Sequence, residues 1–240
     1  MRLDKFLSVS AVASRTDAKR AISKGGVTVN GVVAKKSDMN IDENSDSVVY
    51  CGVPVIYKKY EYVLLNKPEG YVSATDDPKE KTVLDLLPVQ LQKKGVFPCG
   101  RLDKNTLGLM LLTNNGELSH RILSPKNHVE KKYYFKARSS MSEADAKRFE
   151  AGVTLDDGYV TKPARIELSS DGCEGVITLH EGKYHQIKRM LEALDNKIIY
   201  LERISFACFT LDGAGLERGE WRYLDEKEIA ELEGLANFES

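Results

Sequence analysis

The 240-residue chain lacks most of the features that place a protein at a glance. No apolar run approaches the ~20 residues that a membrane-spanning helix needs. Met1-Arg2-Leu3-Asp4-Lys5 is followed by no apolar stretch, so no secretory signal is expected and the chain reads as cytoplasmic. The four cysteines (Cys51, Cys99, Cys173, Cys208) form no C-x-x-C pair and are expected to be reduced core residues, without zinc or disulfides. Internal repeats and low-complexity segments are missing. With 7 Pro and 18 Gly, neither a collagen-like fibre nor long disorder fits. Net charge is also missing: 35 Lys+Arg against 36 Asp+Glu leave −1. Taken alone, that argues against a nucleic-acid partner.

The near-zero charge is an average over segregated segments. Residues 1–36 hold eight bases, Arg2, Arg15, Lys19 and Arg20 among them, against two acids, giving +6. Residues 121–138 hold six bases, including Lys126, Lys131 and Lys132, against one acid, giving +5. Residues 217–240 hold three bases against eight acids, including Glu239, giving −5. An acidic end masks two basic regions. An RNA path would then run between those regions and past Asp103, with residues 217–240 facing away.

The pattern predicts an α+β chain in two parts, residues 1–58 and 59–240. In the first, Ser14 and Asp17 resemble a capping box, and the helix they open ends at Lys24 before Gly25-Gly26. Asn30-Gly31 between β-branched residues signals a tight hairpin. In the second, strands are expected over 60–66, 108–113, 132–137, 175–180 and 198–210, and near Trp221. Helices are expected over 143–151 and 184–194, with a last one opened by Asp225 and Glu228. The elements do not alternate regularly. That favours a mixed, mainly antiparallel sheet with flanking helices over a doubly wound parallel one.

Three groups of residues carry chemistry. Arg15, Lys19 and Arg20 share a broad helical face, which is either a solvated surface or a phosphate-facing one. Asp103 sits in Gly100-Arg101-Leu102-Asp103, just before an apolar strand. A carboxylate there beside Arg101 can be a nucleophile, or half of a surface ion pair. In Tyr184–Leu194, Tyr184, Ile187, Met190, Leu191 and Leu194 form one apolar arc. Lys188 lies about 40° beyond that arc and should be partly buried, whereas Arg189, further round, should meet solvent or phosphate. His185 reads as a helix-start residue or an RNA contact. Tyr133 in Tyr133-Tyr134-Phe135 reads as sheet core.

Two resemblances bear on these choices. Arg2-Leu3-Asp4-Lys5-Phe6-Leu7, Ser14-Arg15-Thr16-Asp17-Ala18 and Gly26-Val27-Thr28-Val29-Asn30-Gly31 resemble an S4 RNA-binding domain. That implies RNA contacts from Arg2, Arg15, Lys19 and Arg20. The run from Gly100 to Gly116 resembles the signature of the pseudouridine synthases, in the branch that modifies ribosomal RNA at single sites. Leu65-Asn66-Lys67-Pro68-Glu69-Gly70 and Lys131-Lys132-Tyr133 resemble two further motifs of that family.

The resemblance implies Asp103 as the essential residue, Tyr133 stacked on a flipped base, and Lys188 paired with Asp103. It implies Lys67 as a buttress, and RNA contacts from Arg101, Lys67, Lys132 and Arg189. No cofactor and no metal are expected, because uridine and pseudouridine are isomers. Gly70–Pro78 resembles the branch acting on 16S rRNA, so the expected partner is 16S rRNA or an assembling small-subunit particle, met by a monomer. A 23S target and a non-catalytic ribosome-assembly factor are the alternatives. A transfer-RNA synthetase lacks support, since no ATP-binding signature is present.

Overall fold

The computed structural model describes residues 1–124, 127 and 129–236. Lys126 and Glu239, counted in the charged segments, lie outside them. The chain divides into two compact units: Met1–Glu61 with Pro88–Val96, and Tyr62–Leu87 with Phe97–Ser240.

The first unit packs helices α1 (Leu3–Val9) and α2 (Arg15–Ser23) on a four-stranded antiparallel sheet. Its strands are β1 (Val27–Val29), β2 (Val32–Val33), β3 (Val48–Tyr50) and β4 (Val53–Pro54), in the order β2-β1-β3-β4. Leu3, Phe6 and Leu7 recur at helical spacing and are buried against Ala18, Ile22, Val27 and Val48. Ser14 caps α2 by accepting a hydrogen bond from the Asp17 amide at 3.1 Å. Asn30 (φ 52°) and Gly31 (φ 79°) form the hairpin turn. A short helix, α3 (Val89–Lys93), also belongs to this unit, although it lies far along the chain.

The second unit is built on a nine-stranded sheet. Its strands are β5 (Tyr62–Lys67), β6 (Phe97–Pro98), β7 (Leu107–Thr113), β8 (Lys131–Ala137), β9 (Arg165–Leu168), β10 (Glu174–Leu179), β11 (Ile198–Phe206), β12 (Phe209–Thr210) and β13 (Trp221–Tyr223). The main path runs β13-β5-β7-β11-β8-β10-β9; β12 pairs with β11 and β6 with β7. Among the described strands of this sheet, only β7 with β11 pairs in parallel; the others pair antiparallel. This is the mixed, mainly antiparallel sheet expected. Among the described residues five α-helices accompany it: α4 (Gly116–Leu123), α5 (Glu143–Ala151), α6 (Gln186–Glu192), α7 (Leu211–Ala214) and α8 (Glu226–Ala236).

Every residue of β5 is buried, and six of the seven in β7. Full burial of one Leu or Val contributes about 1.5–3 kcal/mol, so this pair of strands anchors the sheet. Gly108 (φ 102°) is required where β7 meets β11. A Cβ there would stand 2.3 Å from the Arg203 carbonyl oxygen.

Three expectations need correction. Of the four cysteines only Cys99 is buried; Cys51 is exposed on a turn. The helix expected from Tyr184 starts at Gln186, and Tyr184 stands outside it, 70% exposed. The strand expected over 198–210 breaks at Ala207 (φ 55°) and turns back as β12.

Candidate active site

The site forms where the loop before β7 meets the start of α6. The loop holding Asp103 is fixed by its backbone. Ser73 Oγ donates to the Leu102 carbonyl at 2.6 Å and accepts from the Leu102 amide at 2.9 Å. Lys67, at the end of β5, is wholly buried, and its ammonium donates to the carbonyls of Pro68, Lys104 and Thr106 at 2.8–3.1 Å. Burial pushes the Lys67 pKa down to about 8. Three donors on one ammonium fit three converging carbonyls, so Lys67 is the peg of this loop.

The Asp103 carboxylate is about a quarter exposed. Lys188, on the first turn of α6, donates to Oδ2 at 2.5 Å. His185 Nε2 stands 3.3 Å from Oδ1. His185 precedes α6 in the left-handed conformation (φ 50°, ψ 30°), with its ring stacked on Tyr184 at 3.8 Å. The start of α6 is itself anchored. Gln186 donates to buried Glu181 at 2.7 Å, and Glu181 also accepts from Tyr159 Oη and the Lys162 amide.

Asp103 opens onto a cleft of about 860 Å³, a volume in the range of ligand pockets. Its floor comes from adjacent strands. Alternation along β8 puts Lys131, Tyr133 and Phe135 on one buried face. Arg203 on β11 pairs across from Tyr133. A register shift between Arg203 and Ser205 then brings Phe206 to the same side, where its ring lies 4.5 Å from the guanidinium and 6.0 Å from the Lys131 ammonium. Arg203 is 1% exposed, and its Nε donates to the Leu109 carbonyl at 2.7 Å. Burial, reinforced by Arg203, pushes the Lys131 pKa down to about 8. No described residue of 217–236 lines the cleft.

A carboxylate held by an ammonium, facing a buried tyrosine in a nucleotide-sized, cation-rich cleft, suits chemistry on a single flipped nucleotide. Residues 61–193 match the RNA pseudouridylate synthase family model, and residues 1–46 match the S4 domain. The chain belongs to the RNA pseudouridylate synthases. It is 40% identical over 234 residues to the ribosomal small subunit pseudouridine synthase A of Escherichia coli (strain K12), covering 97% of this chain and all of that one. It is 42% identical over 232 residues to an uncharacterized RNA pseudouridine synthase of Bacillus subtilis, covering 95% and 97%. A pseudouridylate synthase crystal structure superposes with a TM-score of 0.67 at 35% identity, covering 97% of this chain and 99% of that one.

In this synthase Asp103, Tyr133, Lys188 and Arg101 line one cleft, as do Lys131 and Arg203. Other expected RNA contacts sit differently. Lys67 is inside the protein and out of reach of RNA, because its charge is spent on loop carbonyls. Lys132 points to the face opposite Tyr133, 3.2 Å from Glu130. Arg189 is 16% exposed, more buried than Lys188, because Asp156 and Asp157 reach over from the loop between α5 and β9 and pair with it. In the S4 domain Arg15 and Lys19 are exposed; Arg2 pairs with buried Asp4 at 2.9 Å and Arg20 with Asp17 at 3.4 Å. Sequence reasoning missed Arg203, Lys131 as a cleft residue, and the Asp103 neighbour of His185.

Proposed function

We propose that this synthase converts a uridine of 16S ribosomal RNA to pseudouridine, with the S4 domain as its RNA-capturing arm. The observation that carries the site reading is the Asp103–Lys188 pair at 2.5 Å, in the same cleft as Tyr133. The near-full-length likeness to a protein named for the small subunit supports the 16S target. In this reading residues 1–58 capture RNA and residues 59–240 carry the catalysis, in a monomer acting in the cytoplasm.

The target base leaves its stack and lies against Tyr133. Asp103 meets the sugar, either attacking C1′ or taking the 2′ proton to leave a glycal. Lys188 holds the carboxylate in place, and Arg101 steadies the displaced RNA. No cofactor enters this scheme, since product and substrate are isomers.

The test is to map pseudouridines at single-nucleotide resolution in rRNA from cells with and without the gene. The loss of one 16S position is expected. The loss of a 23S position instead overturns the target but keeps the reaction, and no lost position overturns both.

A further inference from the structure

Arg203 is a buried charge that the scheme above leaves unused. Its guanidinium is a permanent cation, 1% exposed, in the second unit's sheet. The Leu109 carbonyl satisfies Nε, and the Phe206 ring covers one face. Nη2 has no hydrogen-bond partner among the described residues. No carboxylate pairs with the guanidinium there either. Beside it, among the described residues, Lys131 donates only to the Val129 carbonyl, at 3.1 Å. Two cations thus share one ring with no anion between them. Burying an unpaired charge is costly, and a cation–π contact offsets only part of that cost. Both residues line the Asp103 cleft, on the face of Tyr133. What would complete them is negative charge arriving with the substrate.

The isomerisation creates such a charge. When C1′–N1 breaks, its electron pair stays on the uracil, shared by N1, O2 and O4. The sugar carbon bonds to an Asp103 oxygen, or loses its 2′ proton to Asp103. C5 then supplies the pair for the new C1′–C5 bond, as the C1′–O bond to Asp103 breaks or Asp103 returns the proton to C2′. The C5 proton is lost and N1 regains one, so the product is an isomer. Between those steps the detached ring is an anion that must be held, turned and kept from leaving.

We infer that Arg203, with Lys131 beside it, holds the detached uracil anion by donating to its ring oxygens. This role rests on Asp103 acting at the sugar. It is an oxyanion-type device: the donors are fixed before reaction and act where charge develops. The close approach of β7 to β11 at Gly108 holds the Arg203 backbone against β7.

Single-turnover rates of wild type and Arg203→Met, each with saturating enzyme, test the role. The substrate is the rRNA transcript that wild type modifies, made once with uridine and once with 5-fluorouridine. Fluorine at C5 stabilises the uracil anion, so this ring needs less help to detach. The expected result is a loss of about 100-fold on uridine, as for removal of one oxyanion donor, with RNA affinity within about threefold. 5-Fluorouridine has no C5 proton to lose and cannot finish as pseudouridine, so the rate read on both substrates is loss of the C1′–N1 bond; on 5-fluorouridine the effect of Arg203→Met should shrink to about tenfold. Equal losses on both substrates overturn the role, as does weaker binding with an unchanged saturated rate, which marks a phosphate contact. If Arg203→Met does not fold, Lys131→Met carries the same pair of measurements. If wild type modifies neither 16S nor 23S rRNA, so that no such transcript exists, the reaction assignment itself fails.

Discussion

The two ends of the cleft treat charge in opposite ways. At the sugar end, one carboxylate is met at once by an ammonium, Asp103 by Lys188 at 2.5 Å, about a quarter exposed. At the base end, two buried cations, Lys131 and Arg203, face the cleft with no carboxylate among the described residues paired to either. A pair complete before substrate arrives fixes geometry, because neither partner must reorganise. A charge left incomplete stores a demand that only the substrate answers, and it answers most strongly when the ring is anionic. In the reaction proposed above, the same cleft would therefore separate positioning from electrostatic stabilisation.

The largest expected effect lies at the sugar end. Asp103→Asn keeps the shape and should cut the single-turnover rate by about 10⁴-fold or more, in the range for losing a catalytic carboxylate or nucleophile. RNA affinity should stay within about threefold, read by filter binding. A variant that still forms pseudouridine breaks the comparison outright. Lys188→Met comes next, at about 100-fold to 1,000-fold in rate. Because Asp103 is partly exposed, thermal stability should fall by no more than about 1 kcal/mol. Substitution with 5-fluorouridine, which relieves the loss of Arg203, should not relieve the loss of Lys188. Relief in both would merge the two ends into one device.

How much of this was legible in the sequence depends on how far apart the partners lie along the chain. Asp103 stood out because seventeen consecutive residues, 100–116, carried one signature. Lys188 followed from helix spacing. Arg189 did not, because its partners, Asp156 and Asp157, arrive from another loop. Lys131 could have been found: it lies two residues before Tyr133, and a strand alternates. Arg203 gave one signal, a charged residue inside Leu201–Phe206, which reads as a buried strand. Its meaning needed the register with Tyr133 and the break before Ser205. The same limit applied to the fold. The hairpin at Asn30-Gly31 and the cap at Ser14 are local and appeared as expected. Helix α4 was missed, since Asn115-Gly116 reads as a turn, and Asn115 instead caps the helix by accepting from the Leu118 amide at 3.1 Å.

At the base end, pH supplies a smaller and sharper test. The Lys131 pKa is pushed down to about 8, against an ordinary value of 10.5. Burial is the main cause and Arg203 adds to it, while Cys99 and Glu181 pull the other way. Between pH 8 and 10.5 the unfolded chain binds more protons here than the folded one. The contribution of Lys131 to stability therefore rises with pH across that window. Its contribution to rate should move the opposite way, because the charge is lost above pH 8. Lys131→Met should slow the reaction about tenfold at pH 7 and remove an alkaline limb near pH 8. It should also gain up to about 3 kcal/mol in stability at pH 7. Lys67, with its pKa also pushed down to about 8, stays in place in that variant. A limb that survives Lys131→Met therefore belongs to the Asp103 loop and not to the base end.

The smallest effect should come from His185, and it tests whether the sugar end needs one partner for Asp103 or two. At 3.3 Å from Oδ1 it is further from the carboxylate than Lys188 is, and its backbone is left-handed (φ 50°). Asparagine and glycine adopt that conformation readily; a β-branched residue does not. If His185 matters as the turn into α6, His185→Asn should keep the rate within about tenfold, less than a general acid or base contributes. His185→Val should then lose about 1–3 kcal/mol in thermal melts, with the strain taken up at the start of α6. A loss of 100-fold or more in His185→Asn, with normal stability, would instead make His185 a proton carrier. The sugar end would then transfer charge during the reaction, and the contrast with the base end would no longer hold.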